Sequence, residues 1–350
     1  MEILTSNRRP LKFDNKCFVD KFSELIAISD YIQIASGYIS AASLTEIRDI
    51  IESNNGPHLN LLIGMHYFDG IMRSQYDAAL YLNDFLVKNN LGSVSIAKTF
   101  RFHGKLYSFS KENKIIAGII GSSNLDSMLK SHITYETDLF VTEAKISQEI
   151  NTVIENAINN ISVPITDWQP ASYEENNKIL EGTEGVEKIN STTVTTILKK
   201  LNEKVSFEIP LKTTPKSNLN CHFGKGRENK LTKRIIRRPW YEVELIVPKK
   251  ITISPYYPKA GDGNVTVYTD DGWKFDCLIS GTNSKNFRAS GDLQILGKWI
   301  KGRLENYGAL KVGESVTEGI LRKYGRNSFK LIATDDPKIW WLDFGVNKIV

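Results

Sequence analysis

Cysteine is the first scarcity in this chain of 350 residues: Cys17, Cys221 and Cys277 are all it has. They are odd in number and far apart, so they supply neither a disulfide framework nor a zinc-ligand spacing. The expectation is three buried bystanders in a reducing, cytoplasmic compartment. Long apolar runs are missing as well, and none approaches the roughly 20 residues that a membrane-crossing helix needs. The opening Met1-Glu2-Ile3-Leu4-Thr5-Ser6-Asn7-Arg8-Arg9-Pro10 lacks the pattern of a signal peptide. No membrane partner is therefore expected. Internal repeats and low-complexity tracts are absent too. At 41% hydrophobic and 24% charged, the composition is that of a globular chain long enough for two cores.

Acidic residues are short in one half. Residues 201–350 hold 26 Lys and Arg against 16 Asp and Glu, a balance of +10. Subtraction from the totals of 45 and 40 leaves 19 and 24 for residues 1–200, a balance of −5. A split of this kind points to a polyanion partner for the second half. Lys212, Lys216, Lys225, Arg227, Lys230, Lys233, Arg234, Arg237 and Arg238 all precede residue 239, with Glu228 the one acid among them. Charge runs are usually solvated faces. Here the missing carboxylates and the Gly, Pro and Asn content suit an extended arm instead.

Histidine is also sparse, and His58, His66, His132 and His222 take the default structural reading. His103 differs because of its neighbours. Thr99 to Phe109 has the aromatic-rich alternation of a strand, which places His103 and Lys105 on one face. A second apolar run, Ile115 to Ile120, leads into Gly121-Ser122-Ser123-Asn124, a turn whose amides and hydroxyls suit an anion. A nucleophile, a fixed cation and neutral donors are the requirements of phosphodiester chemistry when no metal carries the charge. Lys98 and Arg101 add positive potential at the rim.

The first 165 residues alternate strand and helix. Strands are expected at 31–38 and 59–65, and around 93–98, 101–110, 114–120 and 135–142. Helices are expected from a Ser43 cap to Ser53, at 77–89 and at 146–160. Residues 166–202 read as a linker, with a short helix near 194–201. From 203 onward the pattern is β-rich, with strands at 205–211, 241–247, 264–269 and 273–279. A hairpin turn at Asp270-Asp271-Gly272 joins the last two. A helix at 293–306 and strands at 328–333 and 338–344 follow. Between Ser280 and Ser290 lies a second polar loop with Asn283, Lys285, Asn286 and Arg288, residue types that reach phosphates and base edges.

His103-x-Lys105 followed by Gly121-Ser122-x-Asn124 resembles the phospholipase D superfamily signature, over about the first 165 residues. One position departs from it: Ser110 stands where the family often has Asp. The resemblance implies an α/β fold, a phospholipase D-like mixed-sheet sandwich carrying the nuclease site over residues 1–165. It also implies a carboxylate shortly after Asn124 that orients the nucleophile, with Glu136 the candidate and Asp138 the fallback. The two arms on residues 203–350 look like those of the B-three pseudo-barrel DNA-binding domain of plant transcription factors. Together the halves resemble NgoFVII-like type II restriction endonucleases. That resemblance implies site-specific cleavage of double-stranded DNA through a phosphohistidine, with no cofactor or metal. Because the reaction takes two histidines and the chain has one His-x-Lys, it also implies a homodimer through the nuclease domain. Some relatives work with a separate ATP-hydrolysing translocase subunit. Competing readings are a non-specific phospholipase D-type nuclease, a DNA-binding regulator with an inactive nuclease domain, and a lipid phosphodiesterase. The last would normally carry two motif copies and an apolar face.

Overall fold

A computed structural model describes residues 1–53, 56–129, 133–175, 177–228, 233 and 235–346. His132, Lys230 and Arg234 lie outside the described residues. The chain divides into two compact units, residues 1–176 with 227–236, and residues 177–226 with 237–350. Among the described residues no helix is long and apolar enough to cross a membrane.

The first unit runs β1 (Glu2–Thr5), α1 (Phe18–Ile28), β2 (Tyr31–Ser36), α2 (Ala41–Ser53), β3 (His58–Ile63), α3 (His66–Asp69), α4 (Arg73–Lys88), β4 (Gly92–Ala97), β5 (Lys105–Lys111), β6 (Lys114–Gly121), β7 (Thr137–Val141), α5 (Ala144–Ile161) and β8 (Ser162–Pro164). These eight strands form one mixed sheet in the order β1-β7-β6-β5-β2-β3-β4-β8. The pairs β2–β3 and β3–β4 are parallel, and β5 lies antiparallel to β2. Strands covered on both faces need largely apolar sequence; β2 and β3 are so except for polar positions such as the buried Gln33, whose amide donates to Asn151 of α5 at 3.0 Å. On one face α5 packs Ile150, Ile154 and Ala157 against Ala35, Leu62, Ala97 and Leu106. Tyr107 and Phe109, one residue out of phase with Leu106, turn to the other face and meet Phe18 and Phe22 of α1.

Two expectations shift here. The α2 cap is Ser40, not Ser43: Ser43 N–H donates to Ser40 Oγ and Ser40 N–H donates to Ser43 Oγ, both at 3.1 Å. This reciprocal pair satisfies two orphan donors of the first turn, the task assigned to Ser43 and Glu46. The second shift matters more, because β5 begins at Lys105 and leaves residues 101–104 outside the ladder. That lead-in is fixed instead by Phe102 N–H donating to Gly64 O at 3.1 Å. Gly64 is required for the approach, since a Cβ there would lie 1.8 Å from Phe102 O.

The second unit holds β9 (Val186–Lys188), α6 (Ser191–Leu198) and β10 (Leu201–Pro210). The short β11 (Arg227–Glu228) and β12 (Ile235–Ile236) pair with each other within the segment grouped with the first unit. Then come β13 (Leu245–Ile246), α7 (Lys249–Thr252), β14 (Asn264–Thr269), β15 (Trp273–Ser280), β16 (Asn286–Ala289), α8 (Ile295–Asn306), α9 (Glu318–Tyr324), β17 (Ser328–Thr334) and β18 (Ile339–Asp343). The sheet order is β10-β17-β18-β14-β15-β16-β13, with β9 pairing on β15. Of the stretch read as a linker, residues 177–202 group with this unit and carry β9, α6 and the start of β10. The strand expected at 241–247 shrinks to Leu245–Ile246 because α8 packs directly on the 240–243 backbone. A Cβ on Gly297 would lie 1.7 Å from Tyr241 O, and Trp240 Nε1 and Tyr241 OH donate to the buried Glu305 at 2.7 and 2.8 Å. Beside them Lys301 is fully buried, donates to Trp240 O at 2.7 Å and sits 4.0 Å over the Trp240 ring. Burial pushes its amine down to about 8, against the pull of Glu305.

Candidate active site

Three strand ends of the first unit converge on one open cavity of about 680 Å³, lined by Tyr38, His103, Gly104, Lys105, Leu106, Ile120, Gly121, Ser122 and Asn124. Four of the five residues expected to do chemistry are there. The imidazole of His103 is exposed, while Lys105 is only 7% exposed. Lys105 Nζ donates to the His103 carbonyl at 2.7 Å, which folds the lead-in over the strand end and brings both side chains to the cavity. Burial holds the Lys105 amine below its ordinary value, against the opposing pull of Glu136 and Asp126. A buried ammonium with a carbonyl as its hydrogen-bond partner is primed for an anion.

Asn124 is held by its carbonyl. Tyr38 N–H donates to Asn124 Oδ1 at 3.0 Å, and Ser36 Oγ reaches the same oxygen at 3.5 Å. This leaves the Nδ2 donor for the cavity. The turn that carries Asn124 is secured from below by the fallback carboxylate, Asp138, which is 4% exposed. Its oxygens accept from Ser123 N–H at 3.0 Å and Ser123 Oγ at 2.6 Å, and Tyr107 OH donates to Ser123 O at 2.8 Å. Burial nonetheless raises the Asp138 carboxyl, with the Ser123 bonds opposing. Asp138 is therefore committed to the turn. Gly121 is dictated by this packing, since a Cβ would lie 2.3 Å from Asp138 Oδ1 and 2.6 Å from Thr137 O. Ser122 Oγ accepts from Thr137 N–H at 2.9 Å, so it serves strand pairing while facing the cavity.

Glu136 is placed differently from its expected role. It lines a separate cavity of about 280 Å³ with Arg8, Cys17, Asp20, Ser123 and Ser127. Among the described residues no carboxylate hydrogen-bonds the His103 ring; its aromatic neighbour is Tyr38, edge-on at 5.8 Å and 78°. Tyr38 and Gly37 are the site residues that motif reading missed. A Cβ on Gly37 would lie 3.2 Å from His103 Cδ2 and 3.4 Å from both Lys105 Nζ and Asn124 Oδ1. The one legible signal was that the β2 run ends in Gly-Tyr.

Two of the other histidines, His66 and His222, are buried and hydrogen-bonded. His66 is buried, accepts from Ile39 N–H at 3.3 Å and pairs through Nδ1 with Gly70 O at 2.8 Å. Burial lowers its basicity. His222 pairs through Nδ1 with Arg238 O at 2.8 Å. At the rim, Arg101 Nε donates to Asp69 at 3.0 Å.

Of the expected DNA-contacting residues, Lys212, Lys216, Lys225, Arg227, Lys233 and Arg237 are exposed. Lys233 faces Glu228 at 3.7 Å. The first arm is not all loop: Leu219, Asn220, Cys221 and His222 are buried within it. Arg238 departs from its expected role, because its guanidinium lies against Glu242 at 2.7 Å and Glu244 at 2.8 Å and is 12% exposed. The second loop is a tight β15–β16 turn. Gly281, Asn283 and Ser284 adopt φ of 77°, 60° and 55°, which presents Asn283 and Lys285 outward. Asn286 and Arg288 are strand residues of β16, half-buried and exposed respectively.

Two family models match the chain. Residues 15–167 match the NgoFVII restriction endonuclease N-terminal PLD domain, and residues 197–335 match the NgoFVII C-terminal B3-like DNA-binding domain. No curated protein matches significantly by sequence. Similar solved structures include Nuc, a phospholipase D family member from Salmonella typhimurium, at 12% identity and TM-score 0.34, covering 47% of this chain and 95% of that one. NucT from Helicobacter pylori matches at 14% and 0.30, covering 41% and 91%. A polyphosphate kinase from Porphyromonas gingivalis matches at 13% and 0.30, covering 50% and 26%.

Proposed function

Because the chain belongs to the NgoFVII restriction endonuclease family, with a phospholipase D-like nuclease domain and a B3-like DNA-binding domain, we propose that it cleaves double-stranded DNA site-specifically at a centre shared by two copies, without a metal ion. The observation that carries this reading is the meeting of His103, Lys105, Ser122 and Asn124 on one open cavity. His103 attacks phosphorus, so a P–N bond forms and the P–O3′ bond breaks. The partner subunit's His103 gives its proton to the departing oxygen. It then takes a proton from water, whose oxygen attacks phosphorus, breaks the P–N bond and leaves a 5′-phosphate. Lys105 and Asn124 hold the charge of the pentavalent state. In this reading the exposed arm residues grip the duplex, those on phosphate for affinity and those on base edges for specificity.

The test incubates the full chain with plasmid DNA in EDTA and in magnesium, sequences the ends, and quenches early turnover in alkaline detergent, which preserves the P–N bond, to look for phosphohistidine. Equal cutting in both buffers at one recurrent sequence, abolished by His103→Ala, is expected. Activity that needs magnesium, or a His103→Ala protein that still cuts, overturns the mechanism. Ends scattered at random favour a non-specific nuclease.

A further inference from the structure

The nucleophile needs something to hold its ring, and the candidate carboxylate, Glu136, lines a different cavity. What touches the imidazole is Tyr38, in the turn after β2. Its ring meets His103 edge-on at 5.8 Å and, on another side, the buried His66 at 5.5 Å and 86°. The ring is pinned at its far end, where the phenol donates to Asp69 Oδ2 at 2.7 Å. Asp69 Oδ1 in turn accepts from Nε of Arg101, two residues before His103. The link thus closes on the segment that carries the nucleophile. Beside it, Gly37 leaves open the space between His103, Lys105 and Asn124.

We propose that Tyr38, anchored by Asp69, is the positioning residue of the His103 imidazole. An edge-to-face contact has a preferred geometry, and His66 together with the Asp69 bond fixes the Tyr38 ring that imposes it. Tyr38 holds Asn124 through its backbone N–H and not its side chain, so changing the side chain leaves the charge-holding group in place. This inference rests on His103 being the nucleophile.

Full-length wild type, Tyr38→Leu, Tyr38→Phe and Asp69→Asn are compared on bis(p-nitrophenyl) phosphate, with the His103 ring proton followed by NMR in each. Tyr38→Leu should lower kcat by about 10- to 100-fold at nearly unchanged KM, since a misplaced nucleophile loses rate and not binding. Tyr38→Phe, which keeps the ring and its His66 contact but loses the Asp69 bond, should fall between wild type and Tyr38→Leu, and Asp69→Asn, which weakens that bond, should lie between wild type and Tyr38→Phe. The His103 resonance should be narrow in wild type, broadest in Tyr38→Leu and intermediate in Tyr38→Phe. A Tyr38→Leu protein with wild-type kcat and an unchanged His103 resonance overturns the inference. If wild type hydrolyses no diester, the nuclease reading fails by itself, and the resonance contrast still decides whether Tyr38 holds the ring.

Discussion

Lys105 shows how much of the site is a matter of one residue's surroundings. Its ammonium is buried with the His103 carbonyl as partner, and its amine lies below the ordinary value of 10.5 because of that burial. The unfolded chain therefore holds this proton more tightly than the folded one. Stability should rise as pH climbs through the folded value towards 10.5. A bound phosphate reverses the penalty by supplying a counter-charge. At ten times its Kd, inorganic phosphate should stabilise wild type by about 1.4 kcal/mol, read as a rise in Tm at pH 7. Lys105→Met should abolish that rise, and a variant that keeps it would separate Lys105 from the anion site. Arg238 is the opposite case, a cation already satisfied by Glu242, which is itself 2% exposed. Arg238→Ala should cost about 3 kcal/mol in urea unfolding, because it removes both hydrogen bonds that the guanidinium gives to the buried Glu242 carboxylate. Lys285→Ala should leave stability alone and reduce the salt slope of DNA binding by about 1. Binding is measured with catalytically inactive full-length His103→Ala as the background.

At the scale of elements, the β6–β7 hairpin shows why a short motif works. Gly121 lies opposite Asp138 in the register, and the missing side chain lets the Asp138 carboxylate reach the Ser123 amide and hydroxyl. Gly121→Ala should destabilise the protein by about 1–3 kcal/mol through overpacking, with kcat falling as the Asn124 turn shifts. Wild-type kcat in a stably folded Gly121→Ala protein would show that the turn tolerates a looser fit. The motif was legible because its parts are adjacent in sequence: His103-x-Lys105 and Gly121-Ser122-x-Asn124 each sit at one strand end. Gly37 and Tyr38 showed only as the Gly-Tyr end of the β2 run, since they enter the site through the pairing of β2 with β5, a long-range contact that no local pattern encodes. The same reason explains the strand misread at 241–247, where α8 overrides a good period-two alternation. Helix α9 was missed although its signals are local, with Thr317 accepting from Ile320 N–H at 3.3 Å and Gly325 at φ 99°.

At the scale of the whole molecule, the proposed mechanism turns on arithmetic: it uses two imidazoles, and the chain has one His-x-Lys. The charge split of −5 and +10 between the two parts of the sequence divides the labour, with chemistry in one and polyanion capture in the other. That much was legible from composition, because net charge needs no fold. Which cations are exposed and unpaired was not, as the contrast between Arg238 and Lys285 shows. The shared-site reading makes a claim about assemblies that point mutants in homodimers do not test. Wild type and His103→Ala carrying different affinity tags are co-expressed, and the doubly tagged species is isolated through both. If one centre takes a histidine from each copy, the mixed dimer has a nucleophile without its acid or an acid without its nucleophile. Its cleavage rate should fall at least 100-fold below wild type, while its DNA affinity stays unchanged because both arms are intact. A mixed dimer that retains about half the wild-type rate would mean that each copy cuts alone, and the proton for the leaving oxygen would then have to come from within the same chain.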